Sequence, residues 1–267
     1  MQQVVAPLRT SRRRVLDSLR RVAVRSRRGT VAGIVVAVLV LVALAVPALA
    51  KNRYALEPPE VERTAAFRYA ELPQSECFRE LDRRKVPYKQ IEPVKQVDAP
   101  IRLTGPIHGV EFALTYRPGP DLAEPYASIL DCRLALALDD LAAVLAERDV
   151  VKVEYMSMYR KKGVGWVKPG RRHPAGLAID IAVLHKSDGK AFSVLYDWHG
   201  IPGAKTCGEN AAKPRKDTEG ARLLRDVVCE LDRKKSFNLL LTPHYDWGHK
   251  DHFHFEVRQG IRWYLTQ

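Results

Sequence analysis

HYDWGHKDHFHFEV, residues 244–257, gathers four of the chain's eight histidines. Its end alternates like a strand. Phe253, Phe255 and Val257 fall on one face, and His252, His254 and Glu256 fall on the other. The first face is apolar and belongs against a core. The second projects two imidazoles side by side. A single histidine on a strand is ordinarily a packed or solvent-facing residue, but two on one face, backed by an apolar face, make part of a ligand set for a borderline metal ion.

The complement lies upstream in RRHPAGLAID, where His173 stands seven residues before Asp180. On one continuous strand an odd separation points the two to opposite faces, and Pro174 and Gly176 suit a helix poorly. The spacing therefore requires a turn over Pro174–Gly176 and a strand from Leu177. On that strand Leu177, Ile179, Ile181 and Val183 face the core, and Ala178, Asp180 and Ala182 face the other side. A face of small residues broken by one carboxylate suits something that sits close against the sheet. Two histidines and an aspartate supply two neutral nitrogens and an anionic oxygen to an ion such as zinc, with one tetrahedral position open to water. His244 and His249 are the candidates for a fourth ligand that would close such a site. The ordinary reading of each is a packed or solvent-facing histidine.

Around these motifs the elements are mixed. Leucines and alanines recur at helical spacing over Asp131–Asp149, and Asp217 or Thr218 caps a second helix over TEGARLLRDVVCELDRK. CFRELDRRK from Cys77 reads as a short helix. Strands are expected in APIRLTGPIHGVEFALTY, in VVKVEYMSMY, over Leu177–Val183, in FNLLL and in DHFHFEV. Strands outnumber helices without alternating regularly with them. That pattern predicts an α+β domain with a largely antiparallel sheet.

With 267 residues, 46% of them hydrophobic, the chain has the composition of a folded protein with one well-buried domain and additions. Its net charge of +13 is concentrated at the start, because nine arginines and one aspartate lie within residues 1–29. Behind them Val31–Ala50 carries no charge. At about 1.5 Å per residue it is long enough for a hydrocarbon core of about 30 Å. The expected organisation is a basic cytoplasmic tail over 1–29, a transmembrane anchor over 30–50, a polar linker over 51–75 with a little helix near VERTAAFRYAEL, and a folded domain over 76–267. The positive-inside rule puts that domain outside the cytoplasm. PALA, ending at Ala50, also fits a cleaved signal peptide, which would export the same domain. The basicity belongs to topology, and nucleic acid is not the expected partner. Four cysteines, Cys77, Cys132, Cys207 and Cys229, all follow the apolar segment, where an oxidising compartment permits disulfides. Three pairings exist, and sequence order favours Cys77–Cys132 with Cys207–Cys229. No CxxC spacing occurs, which argues against a structural zinc knuckle.

His173-x-x-Gly176-x-Ala178-x-Asp180 and Asp251-His252-Phe253-His254 together resemble the two motifs of the lysostaphin, D-Ala-D-Ala metallopeptidase and hedgehog superfamily. From about Cys77 onward the chain is similar to the extensin-like C-terminal domain family, through DCRLALAL, HPAGLAIDIAV, SDGK and HKDHFHFEV. The resemblance implies a small antiparallel sheet with flanking helices, Zn2+ held by His173, Asp180 and His254, and His252 beside it as a catalytic group. It also implies a place for Arg160, in MYRKK, as a clamp on a substrate carboxylate. Asp251 takes a position where some members carry a general base, although strand parity puts it on the face of Phe253. Arg171 replaces the serine usual two residues before the first histidine. Characterised peptidases of the superfamily cut bacterial cell-wall peptides. The expectation is thus a zinc peptidase of peptidoglycan, anchored in the bacterial cell membrane by a single pass with its domain outside. Two readings stand beside it: a non-catalytic zinc-containing module that binds wall or partner, as in the hedgehog branch, and a scaffold whose arginine tail binds anionic lipid headgroups. The sequence sets neither the scissile bond nor the oligomeric state.

Overall fold

A helix with apolar residues on nearly every side has to be covered on nearly every side, and Cys132–Ala146, whose charged residues are Arg133, Asp139 and Asp140, is such a helix. Leu134, Leu136, Leu138, Leu141 and Leu145 are all fully buried, and the rest of the fold is arranged around them. In the computed structural model, residues 55–56, 61–116, 126–161, 172–260 and 262–267 are described. The elements run β1 (Ala55–Leu56), α1 (Ala65–Glu71), α2 (Gln74–Arg84), β2 (Tyr88–Gln90), β3 (Pro100–Leu103), β4 (Glu111–Leu114) and β5 (Leu130–Asp131). Then follow α3 (Cys132–Ala146), β6 (Val150–Tyr155), β7 (Ala178–Lys186), β8 (Ala191–Ser193) and α4 (Val194–Asp197). The chain closes with α5 (Glu219–Lys234), β9 (Leu239–Leu241), β10 (Phe253–Glu256) and β11 (Tyr264–Thr266). The class is mixed α+β, as the irregular order of elements predicts.

Helices α1, α2 and α5 pack on α3, and β6 lies against it. Asp131 caps α3 by accepting from the amide of Arg133 at 3.0 Å, and its other oxygen accepts from the amide of Ala99 at 2.9 Å. Thr218 caps α5 through the amide of Ala221 at 3.1 Å. The helix expected near residues 61–72 is α1. Its Tyr69 and Ala70 enter the main core and β1 pairs with β11, so the folded body, Arg53–Gln267, takes in residues that the sequence places in a linker. Both disulfides have the pairing that sequence order favours. Cys77–Cys132 ties α2 to the start of α3, and Cys207–Cys229 ties α5 to the loop before it.

The main sheet runs β1-β11-β9-β10-β7-β6-β4, with β8 also on β7. Five of its pairings are antiparallel, and two, β4 with β6 and β9 with β11, are parallel. A separate antiparallel sheet runs β2-β3-β5. The spine is β7. One of its edges pairs with β6, and the other pairs first with β10 and then with β8. The β7–β10 register sets Phe253 opposite Ile181, His254 opposite Asp180, Phe255 opposite Ile179 and Glu256 opposite Ala178. The parity read from the sequence therefore holds on β10 and, on β7, from Ile179 to Ile181; beyond the register shift at Glu154/Tyr155 it reverses, so that Leu184 is core while Val183, expected there, is only partly buried, as is Leu177. Ile179, Ile181, Phe253 and Phe255 are core, and Asp180, His254 and Glu256 share the other face.

Two of the boundaries that differ from expectation bear on the strands beside Asp180. The strand expected to reach Tyr159 stops at Tyr155, because the β6–β7 register shifts after Glu154. Beyond it the chain stays beside β7 through Met156 N to Asp180 O at 2.8 Å and Asp180 N to Ser157 O at 3.1 Å. Leu177 stays outside β7 because its amide closes the preceding turn on Arg172 O. Among the described residues no helix is long and apolar enough to cross a membrane. The expected tail and anchor over 1–50 lie outside the described residues.

Candidate metal centre

His173 opens a short 3-10 turn, His173–Ala175, that Gly176 ends in the left-handed region at φ +64°. This is the turn that the seven-residue spacing requires, and it drops His173 over β7. There His173 Nε2 lies 3.1 Å from Asp180 Oδ1, and from the facing strand His254 Nδ1 lies 2.9 Å from the same oxygen. His173, Asp180 and His254 are buried, and each offers one ligand atom within 4.8 Å of the others. Among the described residues no fourth histidine, cysteine or carboxylate joins this group.

The outer nitrogens are also occupied. His173 Nδ1 lies 3.3 Å from the carbonyl of Met158, and His254 Nε2 lies 3.2 Å from Glu256 Oε2. Each ring thus faces an oxygen acceptor from both nitrogens, whereas a neutral imidazole carries one N–H. If the outer nitrogens hold the protons, the inner lone pairs of both rings point at a carboxylate oxygen. A cation between them resolves that repulsion, and the outer bonds to a carbonyl and a carboxylate are those that orient histidine ligands. The donor set of two imidazoles and one carboxylate fits zinc with a position left open.

Electrostatics agree with a shared positive charge at this point. Burial raises the Asp180 carboxyl, but hydrogen bonds from His173 and His254 outweigh it and hold Asp180 well below the usual carboxylate range. Burial lowers His173 and outweighs the pull of Asp180, so this ring favours its neutral form. For His254 burial acts the same way, but Asp180 and Glu256 together hold its pKa up to about 9.

His252, just ahead of β10, is on the same side. Its Nε2 is 3.7 Å from Asp180 Oδ1, and its Nδ1 is 2.9 Å from Asp251 Oδ1. Asp251 therefore bonds His252 rather than joining the triad. Arg160 donates through Nη2 to Asp180 Oδ2 and through Nε to Ser157 Oγ at 2.9 Å. It braces the carboxylate of the triad while its side chain stays half exposed. His249 approaches as well, with ring centroids 5.2 Å from His252 and 6.0 Å from His254. Its Nδ1 is 2.7 Å from Asp246 Oδ1. Two imidazole–carboxylate pairs, His252–Asp251 and His249–Asp246, thus flank the triad. The other fourth-ligand candidate, His244, packs on Trp198 and bonds Thr206 Oγ1 at 3.1 Å through Nδ1. Burial and nearby Arg225 push its pKa down to about 4.

Sequence reasoning put Glu256 on the correct face without a role, and it missed Asp246 altogether. The signal for Asp246 was local: an aspartate three residues before a histidine in a glycine-containing turn, where its carboxylate caps the His249 amide at 3.1 Å. Arg172 has no comparable signal, since its approach to Glu256, 3.4 Å from Nε to Oε1, exists only once the turn is folded. Comparison with curated proteins and with solved structures finds no match to this chain. A family comparison matches residues 75–265, which span α2 to β11 and carry both motifs, and on that extent the chain belongs to the family described as extensin-like protein C-terminus.

Proposed function

We propose that this chain is an exported, membrane-anchored zinc hydrolase of bacterial cell-wall peptides, built on the D-Ala-D-Ala metallopeptidase and hedgehog-like version of this fold. The observation that carries the reading is the pair of buried imidazoles that face acceptors from both nitrogens and converge on one oxygen of Asp180. His173 Nε2, Asp180 and His254 Nδ1 would hold the ion, which when bound supplies Lewis acidity that acidifies a water and polarises a carbonyl. Met158 O and Glu256 orient the two rings, and Arg160 and Ser157 orient the carboxylate. His252 donates a hydrogen bond from Nδ1–H to Asp251, which leaves the lone pair of Nε2 toward the centre to take a proton from the nucleophile and return it to the leaving amine. His249, oriented by Asp246, has the chemistry to donate a hydrogen bond to the developing oxyanion. Two disulfides support an oxidising compartment outside the cytoplasm, and Val31–Ala50 supplies the anchor.

A structural zinc normally has four protein ligands, so three ligands with two oriented imidazoles beside them favour the enzyme over a non-catalytic zinc-containing module that binds wall or partner. The test is zinc analysis of the full-length protein, followed by incubation with wall peptides and mass spectrometry of the products. One zinc per chain and chelator-sensitive cleavage are expected. Zinc at that stoichiometry with every wall peptide intact would instead favour the binding module. The variant His254→Ala is expected to lose the metal, and zinc held as tightly as in the wild type would remove the ligand assignment.

A further inference from the structure

His173, His244 and His254 are the buried histidines among the described residues, and His173 and His254 belong to the triad. His244 is fully buried and precedes Tyr245, Asp246 and His249 in the segment that flanks the candidate centre. A loop without helix or strand, residues 198–218, runs from α4 to α5 and closes on it. Gly203 N donates to His244 O at 2.7 Å, and Thr206 Oγ1 lies 3.1 Å from His244 Nδ1. Gly200 packs so close that a Cβ there would come within 2.3 Å of His244 Nε2. Nε2 has no hydrogen-bond partner among the described residues, so the buried hydroxyl of Thr206 carries the polar contact of the ring. The loop is itself held. Arg215 N donates to His199 O at 2.8 Å, Ala212 N donates to Lys205 O at 2.8 Å, and Cys207, next to Thr206, is joined to Cys229 of α5.

Beyond His244 the segment bonds locally. Tyr245 N donates to Thr242 O at 2.8 Å, and Asp246 holds His249 through its amide at 3.1 Å and its ring at 2.7 Å. Such bonds shape the turn but leave its place beside the sheet to its two ends, His244 and the start of β10. Tyr245, next to His244, sets its ring edge-on to His249 with centroids 5.3 Å apart, which passes the placement on to that imidazole. An apolar side chain would fill the place of His244 at lower cost if packing were its whole task, whereas a buried polar contact fixes one arrangement. We propose that Thr206 and His244 are a positioning pair, through which the loop 198–218 sets the place of the Asp246–His249 pair beside the candidate metal centre. The catalytic consequence rests on the proposed hydrolase, and the placement itself does not.

NMR of the full-length protein carrying isotopically labelled histidine tests the assignment through the imidazole signals of the wild type, T206V and T206S. T206V removes the hydroxyl and leaves Nδ1 without its partner, and T206S keeps the hydroxyl. In T206V the signals of both His244 and His249 should move while zinc content stays at the wild-type level, and T206S should bring His249 back to its wild-type position. On wall peptides T206V should lose about tenfold or more in kcat with KM near the wild-type value, because a small misplacement of a catalytic group has that effect, and T206S should recover the rate. The assignment is overturned if the His249 signal of T206V stays in place although the denaturation midpoint falls, which is the mark of a purely structural bond. It is equally overturned if T206S moves that signal as far as T206V does. A wild type that cleaves no wall peptide would remove the hydrolase reading and leave the imidazole signals to decide the placement. Should circular dichroism show T206V unfolded, T206A against T206S makes the same comparison.

Discussion

His252 and Asp251 lie 2.9 Å apart, nitrogen to oxygen, and that contact ranks two residues that the sequence leaves in competition for one role. Asp251 bonds the outer nitrogen of His252, so in the proposed reaction it orients the imidazole. Loss of a proton-transfer group typically costs about 10²–10⁴ in rate, and loss of its orienting partner costs less. His252→Ala should therefore keep zinc and lose wall-peptide turnover by that range, with a smaller loss in Asp251→Asn. An Asp251 variant that is the more damaging at equal zinc content would give the base role to the carboxylate. His254 allows a second prediction, which concerns the protein stripped of metal by a chelator. Its folded pKa of about 9 lies above the ordinary 6.5, because Asp180 and Glu256 outweigh burial. A raised pKa contributes stability that is present in full below about pH 6.5 and is lost as pH rises through about 9. The thermal midpoint of the chelated protein should fall across that window, and His254→Gln should remove this part of the slope. Identical slopes in the two proteins would mean that the charged contact does not form.

Among the elements, the turn His173–Ala175 has little freedom. A Cβ on Gly176 would come within 2.8 Å of Asp131 N and 3.1 Å of Leu130 C, both backbone atoms at the entrance to α3. Gly176 O also accepts from Asp131 N at 2.9 Å, so neither partner can retreat without breaking that bond. The left-handed backbone alone costs a residue with a Cβ about 1–2 kcal/mol, and the clash adds to it. Gly176→Ala is expected to lower stability in chemical denaturation by more than that amount and to reduce zinc content, because the same turn carries His173. Unchanged stability would mean that the turn and α3 are not coupled as drawn. The turn was legible from Pro174, Gly176 and an odd spacing. Its seat against Leu130–Asp131 was not, since that contact joins segments more than forty residues apart.

For the whole molecule, two disulfides divide the work of restraining the unfolded chain. Cys77–Cys132 spans 55 residues and Cys207–Cys229 spans 22. Each typically contributes about 2–4 kcal/mol, and in the loop-entropy description the longer closure contributes about 0.8 kcal/mol more. Replacing Cys77 and Cys132 together by serine should therefore lower stability more than replacing Cys207 and Cys229 together, as measured by denaturant unfolding without reductant. The reverse order would indicate that native-state packing around α5, rather than chain entropy, dominates.

Local periodicity by itself determined which face of β10 is core, and which face of β7 is core as far as Ile181. The alternation in HFHFEV and LAIDIAV depends only on the two-residue repeat of extended chain, and a shift by one residue would bury His254 and Asp180 in the apolar layer. Helical spacing likewise marked α3 before any contact was known. The tertiary structure decided which of those faces meet. That β10 lies beside β7 in the register that sets His254 opposite Asp180 follows from the pairing of the whole sheet. The brace of Arg160 on Asp180 likewise needs the chain after β6 to lie beside β7. Such contacts form between residues distant in the chain, and their energy depends on burial and distance. Residue type and spacing carry neither quantity.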